Sequence, residues 1–339
     1  MSSRAVRIGL IGTGGMGQAH VRRLLQIPEA RIVALCDCVE ERVKSVAEPL
    51  QVPTFTDGAR LIADTEMDAL YICVPPDQHG DLEIQAAEKG LHLFVEKPVN
   101  LYLDRALTIA RAIRNAGVMT QSGYSFRYLA SGLQLKRFLE DKPVGTANVV
   151  RWGGMPATPW WRNYAESGGQ LVEMTTHQVD LLRWVMGEVE AVTACYSFHR
   201  LLADQPDVTV PDTQTTLLHF RSGASATIST SCALGNAFRG EAEFVIRNAR
   251  VTWKADGIRV EPDGAYTLPP VPEETPSIDA AFVRAVASGN PVFLRSPYDD
   301  ALRSVAVTLA ANRSAENGGR LVRMEELLGS FEKEEAAWK

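Results

Sequence analysis

Residues 6–17 read Val6-Arg7-Ile8-Gly9-Leu10-Ile11-Gly12-Thr13-Gly14-Gly15-Met16-Gly17, an apolar run that enters a cluster of glycines. The last six match G-x-G-x-x-G, a pattern that carries little weight on its own. Here the apolar run predicts a buried strand over 6–11, and 16–25 has the spacing of a helix. In that setting the first glycine permits a tight turn, the second lets backbone approach a ligand, and the third lets helix and strand pack. Free N–H groups and the positive helix end then suit a pyrophosphate. Asp37 closes the next apolar run, where a carboxylate can accept hydrogen bonds from an adenosine ribose. Gly12, Thr13, Gly14, Gly15, Met16, Gly17 and Asp37 thus form a candidate dinucleotide site. A carboxylate at 37 repels the 2′-phosphate of NADP and favours NAD, whereas Arg42 in the next helix is the feature that would suit NADP.

Outward from this stretch, strands expected at 31–37, 69–74, 92–95 and 118–121 alternate with helices at 40–47, 57–63, 82–89 and 103–116. Continuous apolar strands separated by helices predict a parallel sheet buried on both faces. After Ser122 the pattern changes. One long helix is expected over 169–186, closed by Gly187. Strands follow over 190–198, 213–220, 224–231, 241–247 and 250–253, with Ser222-Gly223 as a hairpin turn. Helices over 278–288 and 298–316 close the chain, and 206–211 and 262–276 read as surface loops. The expected fold is α/β, with a Rossmann domain over 1–122 and an α+β domain over 123–339 built on an open, mainly antiparallel sheet. The outer face of such a sheet needs cover, which predicts a homo-oligomer.

A length of 339 residues exceeds one core and agrees with two domains. Lys plus Arg total 35 against 41 Asp plus Glu, a net charge of −6, and no run of like charges suits nucleic acid or a membrane surface. No apolar stretch is long enough to span a bilayer. Residues 1–4 are polar and a strand begins almost at once, without the layout of a secretory leader, so a cytoplasmic location is expected. The five cysteines show no Cys-x-x-Cys spacing, and Cys36, Cys38 and Cys73 sit in or beside apolar runs as core thiols. Nothing has metal-ligand spacing, and no metal is expected.

Two further motifs stand in order. Glu96-Lys97-Pro98 follows the strand at 92–95, and 168–180 reads GGQLVEMTTHQVD. With the glycine turn, Asp37, and Ala310-Ala311-Asn312-Arg313-Ser314-Ala315, the chain resembles the Gfo/Idh/MocA oxidoreductases, the family of glucose–fructose oxidoreductase and inositol dehydrogenase, over nearly its whole length. That resemblance implies an NAD(P)-dependent dehydrogenase or reductase of sugars, polyols or cyclitols, assembled as a dimer or tetramer. It assigns Lys97 to the substrate hydroxyl, His177 to general acid/base work and Glu173 to the carboxylate partner. By position it also places Val74, Pro75, His79 and Glu96 near the cofactor.

The residue types agree with these roles. Lys97 lies just beyond the carboxyl end of a parallel strand, where open α/β sheets bind ligands. On a continuous helix Glu173, His177 and Asp180 share one face, which Leu181 and Trp184 extend. Imidazole titrates near neutrality, and a carboxylate one turn earlier can orient it. Glu173 stands where many relatives carry Asp, and Gln170 where they carry a third glycine. Asp180 either bonds a substrate hydroxyl or braces the helix. Tyr124, Arg127, Trp161 and Asn163 are candidate substrate contacts, since indole faces suit sugar C–H faces and Arg or Asn can bond hydroxyls. Trp161-Arg162 could instead hold the nicotinamide, and Trp160 reads as core or interface. His20, His92, His199 and His219 read as structural or surface histidines. The expected reaction is hydride transfer between nicotinamide and a carbinol carbon. NAD-dependent glycoside cleavage through transient oxidation is an alternative. A non-catalytic NAD-sensing regulator is another, although it would have no need of both Lys97 and His177.

Overall fold

The computed structural model describes residues 5–272 and 275–338, so the polar residues 1–4 and two residues of the 262–276 loop lie outside the described residues. The chain opens with β1 (Val6–Ile11), α1 (Gly15–Leu24), β2 (Ala30–Cys36), α2 (Glu40–Ala47), β3 (Thr54–Phe55) and α3 (Gly58–Asp64). It continues with β4 (Ala69–Ile72), α4 (Asp81–Glu88), β5 (His92–Val95), α5 (Leu103–Ala116) and β6 (Thr120–Ser122). These six strands form one sheet in the order β3-β2-β1-β4-β5-β6, and every pair is parallel. Strands β1, β4 and β5 are buried nearly throughout, which explains their unbroken apolar runs. The order reverses between β1 and β4, and the glycine turn leaves the sheet at that switch point.

Beyond residue 123 come α6 (Ala130–Leu139), β7 (Thr146–Trp152), α7 (Tyr164–Ser167), α8 (Gln170–Glu173) and α9 (Thr176–Met186). Six strands follow: β8 (Val189–Ser197), β9 (Thr213–Phe220), β10 (Ser225–Ser231), β11 (Arg239–Ile246), β12 (Ala249–Lys254) and β13 (Gly257–Glu261). The last elements are α10 (Ile278–Ser288), α11 (Tyr298–Glu316), β14 (Val322–Arg323) and α12 (Glu325–Trp338). The second sheet runs β13-β12-β11-β7-β10-β9-β8-β14 and is antiparallel except for the parallel β7–β10 pair. Alternating burial along β9 and β11 marks one covered and one open face. Among the described residues no helix is long and apolar enough to cross a membrane.

The helix bearing His177 and the domain layout depart from the sequence reading. The helix expected over 169–186 is broken at Met174-Thr175. The Thr175 amide reaches back to the Gln170 carbonyl, and the Thr175 hydroxyl is held by Thr230 of β10 at 2.9 Å. The chain also passes from one unit to the other three times rather than once. One unit is Met1–Gly123 with Pro276–Leu302, and the other is Tyr124–Thr275 with Arg303–Lys339. The returning segment belongs to the first unit because its side chains complete that unit's core. Phe282 of α10 is fully buried and meets Tyr71 and Phe94 edge-on, at 5.6 and 5.7 Å between ring centroids. Gln121 bonds Ser296, and Arg114 pairs with Asp299 at 3.0 Å. Truncation of Phe282 to Ala is expected to lower the unfolding free energy by about 3–5 kcal/mol, as measured by denaturant titration.

Candidate active site

The glycine turn follows from where a side chain would fit. Gly12 has φ 90°, and a Cβ there would stand 2.2 Å from the Cys73 carbonyl oxygen at the end of β4. A Cβ on Gly17 would stand 1.8 Å from the Gly12 oxygen. These two positions serve the turn and the close packing of α1 on β1. At Gly14 and Gly15 a Cβ would meet nothing within 4 Å, so the backbone there lies open at the N-terminus of α1. That open cradle fits a pyrophosphate.

Asp37 accepts hydrogen bonds from the Thr13 amide at 2.8 Å, the Thr13 hydroxyl at 3.0 Å and the Val39 amide at 2.9 Å, and it pairs with Arg42 at 3.1 Å. Burial opposes its ionisation, but the Val39 and Thr13 bonds and the Arg42 charge outweigh burial and hold its carboxyl below the usual range. Arg42, the feature that would suit NADP, is thus already directed onto Asp37. Met16 is exposed, and Val74 and Pro75 are half-buried just past the end of β4.

Lys97-Pro98 is a cis peptide at the carboxyl end of β5. The preceding Glu96 is buried, with both carboxylate oxygens directed at protein: Oε2 accepts the Lys97 amide at 3.0 Å, and Oε1 meets His20 Nε2 at 3.0 Å. His20 Nδ1 reaches Asp279 Oδ1 at 2.5 Å, and Arg23 donates to the other Asp279 oxygen at 2.9 Å. Burial works against a charge on His20, yet hydrogen bonds to Asp279 and Glu96 and their charges prevail and raise it to about 9. Burial also works against the charge on Glu96, but His20 and Lys97 hold it below the usual carboxylate range. His79 is fully buried as well. Its Nδ1 meets Glu83 at 2.5 Å, and Glu83 also accepts the Gly80 amide at the start of α4.

In the second unit His177 is half-buried in the first turn of α9. Its ring meets Tyr124 edge-on at 6.0 Å and Phe126 at 5.0 Å. The hydroxyls of Tyr124 and Thr176 lie 2.9 Å apart. Glu173 ends the separate helix α8 and accepts the Trp161 indole N–H at 2.8 Å. Gln170, in place of a glycine, ties α8 to the Ser231 carbonyl. Of the two readings of Asp180, the structure favours the brace: Arg127 grips it with bonds of 2.8 and 2.6 Å, and the Ser304 hydroxyl adds a third. Tyr124, Arg127, Trp161 and Asp180, expected as substrate contacts, are 4% exposed or less; Tyr124 and Arg127 bond Thr176 and Asp180 of α9. Trp161 packs among Leu202, Val208, Val210 and Cys232. Asn163 caps α7, and Arg162 is half-buried, with its carbonyl accepting the Thr209 amide.

Residues 6–124 match the model of the oxidoreductase family's NAD-binding Rossmann fold, and 134–252 match the C-terminal domain of the same family. This chain belongs to the Gfo/Idh/MocA oxidoreductase family. It is 31% identical to the oxidoreductase YrbE of Bacillus subtilis over 233 residues, 68% of each chain. It is 29% identical to the myo-inositol 2-dehydrogenase of Thermotoga maritima over 96% of this chain and 100% of that one. The crystal structure of GenD2 from gentamicin A biosynthesis, in complex with NAD, superposes with a TM-score of 0.80 at 25% identity, covering 95% of this chain and 97% of that one.

As a Gfo/Idh/MocA enzyme the protein is an NAD(P)-dependent oxidoreductase with an NAD-binding Rossmann domain. Gly12 to Gly17 and Asp37 are the residues that would hold NAD in this chain. Sequence reasoning missed Asp279, which lies 259 positions from His20, so that no local pattern could join them. It grouped His20 with ordinary structural histidines, without the charge that its two carboxylate partners impose.

Replacing Gly14 with Ala should leave stability within about 0.5 kcal/mol, because the added methyl meets no protein atom. The same methyl should weaken NAD binding by at least about tenfold, as read by fluorescence titration. His20 has its folded pKa raised above the unfolded value of 6.5, so its contribution to stability is complete below 6.5 and is lost as pH rises through about 9. Unfolding free energies measured across that window should fall in the wild type and flatten in His20→Asn.

Proposed function

We propose that this enzyme catalyses NAD-dependent oxidation, and the reverse reduction, at a carbinol carbon of a sugar, sugar derivative or cyclitol, with Lys97 and His177 handling the proton. The substrate class rests on the relatives. The myo-inositol 2-dehydrogenase of Thermotoga maritima matches along the whole chain, and the scyllo-inositol 2-dehydrogenase (NAD(+)) of Bacillus subtilis is 28% identical over 67% of it. The observation that carries the mechanism is the seat of Lys97, a half-buried lysine just past the carboxyl end of a parallel strand, beside the strand whose end meets the glycine turn.

Oxidation of a secondary alcohol releases a hydroxyl proton and a hydride. Bound NAD supplies the hydride acceptor. His177 takes the hydroxyl proton, and Lys97 stabilises the negative charge that builds on oxygen as the C=O bond forms. In reduction the same groups act in reverse, with His177 returning the proton. Glu173, held by the Trp161 indole, is the carboxylate partner that the family resemblance gives His177. Self-association over the open face of the eight-stranded sheet belongs to the same proposal.

Initial rates with a panel of sugars, polyols and cyclitols, with NAD and NADP supplied separately, test the reading. NAD-dependent turnover of at least one polyhydroxy substrate is expected. Lys97→Ala should lower kcat by about 10²–10³-fold while leaving the dissociation constant of NAD within about twofold. Near-normal turnover by that variant would overturn the assignment.

A further inference from the structure

We propose that His20 is a positioning residue for Lys97: clamped between Asp279 and Glu96, its ring fixes the carboxylate on which the Lys97 backbone rests and supplies the positive charge that balances it. This inference rests on reading Lys97 as the ammonium that faces the substrate oxygen.

The contacts form a continuous line. Asp279 Oδ1 meets His20 Nδ1 at 2.5 Å, His20 Nε2 meets Glu96 Oε1 at 3.0 Å, and Glu96 Oε2 accepts the Lys97 amide at 3.0 Å. The His20, Glu96 and Asp279 side chains are 7% exposed or less, so water does not screen them. The imidazole is held in one orientation, with Phe94 edge-on at 4.7 Å and Tyr71 tilted at 5.3 Å. The Glu96 carboxylate is confined too. A Cβ on Gly123 would come within 2.6 Å of both its oxygens.

The groups that face His20 come from four elements. Arg23 lies on α1, Asp279 on α10, Tyr71 and Cys73 on and just past β4, and Glu96 with Lys97 at the end of β5. Burial pushes the Tyr71 hydroxyl and the Cys73 thiol well up, so both stay neutral. Two cations, His20 and Arg23, then stand against two carboxylates, Glu96 and Asp279, and the block beside Lys97 has no net charge. An imidazolium donates to a carboxylate from each end while adding a full charge; an amide side chain donates without one.

A charge role has a sign, which a packing role would lack. With His20 replaced by Asn the block beside Lys97 carries −1, which opposes the negative charge that builds on the substrate oxygen; with Glu96 replaced by Gln as well, the block is neutral again. At pH 7, where the wild-type imidazole is charged, kcat should therefore fall by about tenfold in His20→Asn and recover to within about threefold of the wild type in the His20→Asn, Glu96→Gln double variant, with the dissociation constant of NAD unchanged.

Arg23→Gln is a third variant. Its side chain is 40% exposed, so removing it leaves the core intact, and it should lower kcat by less than His20→Asn does. Circular dichroism and the thermal midpoint establish that each variant is folded. A kcat that does not fall in His20→Asn, or that falls further in the double variant, would overturn the proposal. If neither of those variants folds, an unchanged kcat in Arg23→Gln does so. Loss of turnover in Lys97→Ala without recovery in the double variant would remove only the role of His20. Near-normal turnover in Lys97→Ala would remove the parent reading.

Discussion

Asp279 is a fully buried carboxylate, and a charge in that position has to be met by cations. Arg23 and His20 meet it, and His20 passes the constraint to Glu96. Much of the first unit follows from this requirement. It draws α10, far along the chain, onto the same core as β4 and β5, and it fixes α1, whose N-terminus carries the glycine turn. It also seats the Lys97 peptide. Buried ion pairs add little net stability compared with well-packed apolar residues, but removing one partner is costly, by about 3–5 kcal/mol. The arrangement therefore acts mainly as a selector of geometry, with the α10 aromatic contacts supplying apolar packing beside it.

The second unit solves a similar problem with different groups. Asp180 faces the interior of its unit, where Arg127 and Ser304 satisfy it, and Arg183 bridges Ser304 and Glu188. These bonds set α9, while Thr175 and Tyr124 set its first turn. The break after α8 lets Glu173 lie against the Trp161 indole and places His177 at a fresh helix start. Tyr124, Arg127 and Trp161, whose residue types suggested ligand contact, bond Thr176, Asp180 and Glu173. A buried polar group without a partner is expensive, so most such groups in a folded protein face other protein groups.

Features encoded within a few neighbouring residues were legible from the sequence. The strand–glycine–helix unit at 6–24, Asp37 after β2, the strands β4, β5 and β6 and the capping glycine at 117 each follow from local periodicity or from a backbone angle that only glycine adopts easily. The motif around Lys97 was legible for the same reason. Strand β7 was not, because Thr146-Ala147-Asn148-Val149-Val150-Arg151-Trp152 mixes polar and apolar residues without a clear period, and its place between β11 and β10 is made by pairing. Helix α6, with glycine and serine in its first turn, escaped for a similar reason.

The amino-acid order by itself determined the fold class, the dinucleotide turn, the acid beside it, and the presence of a lysine and a histidine in motifs that carry chemistry. These depend on spacings of a few residues and on intrinsic backbone preferences. Tertiary structure alone decided that α10 returns to the first unit, that His20 is held between two carboxylates, that Asp180 braces its helix, and that Glu173 and His177 stand on separate helices. Each of those outcomes is a choice of partner among groups distant in sequence, and a buried charge or hydroxyl selects its partner only after the chain has brought the two together out of water.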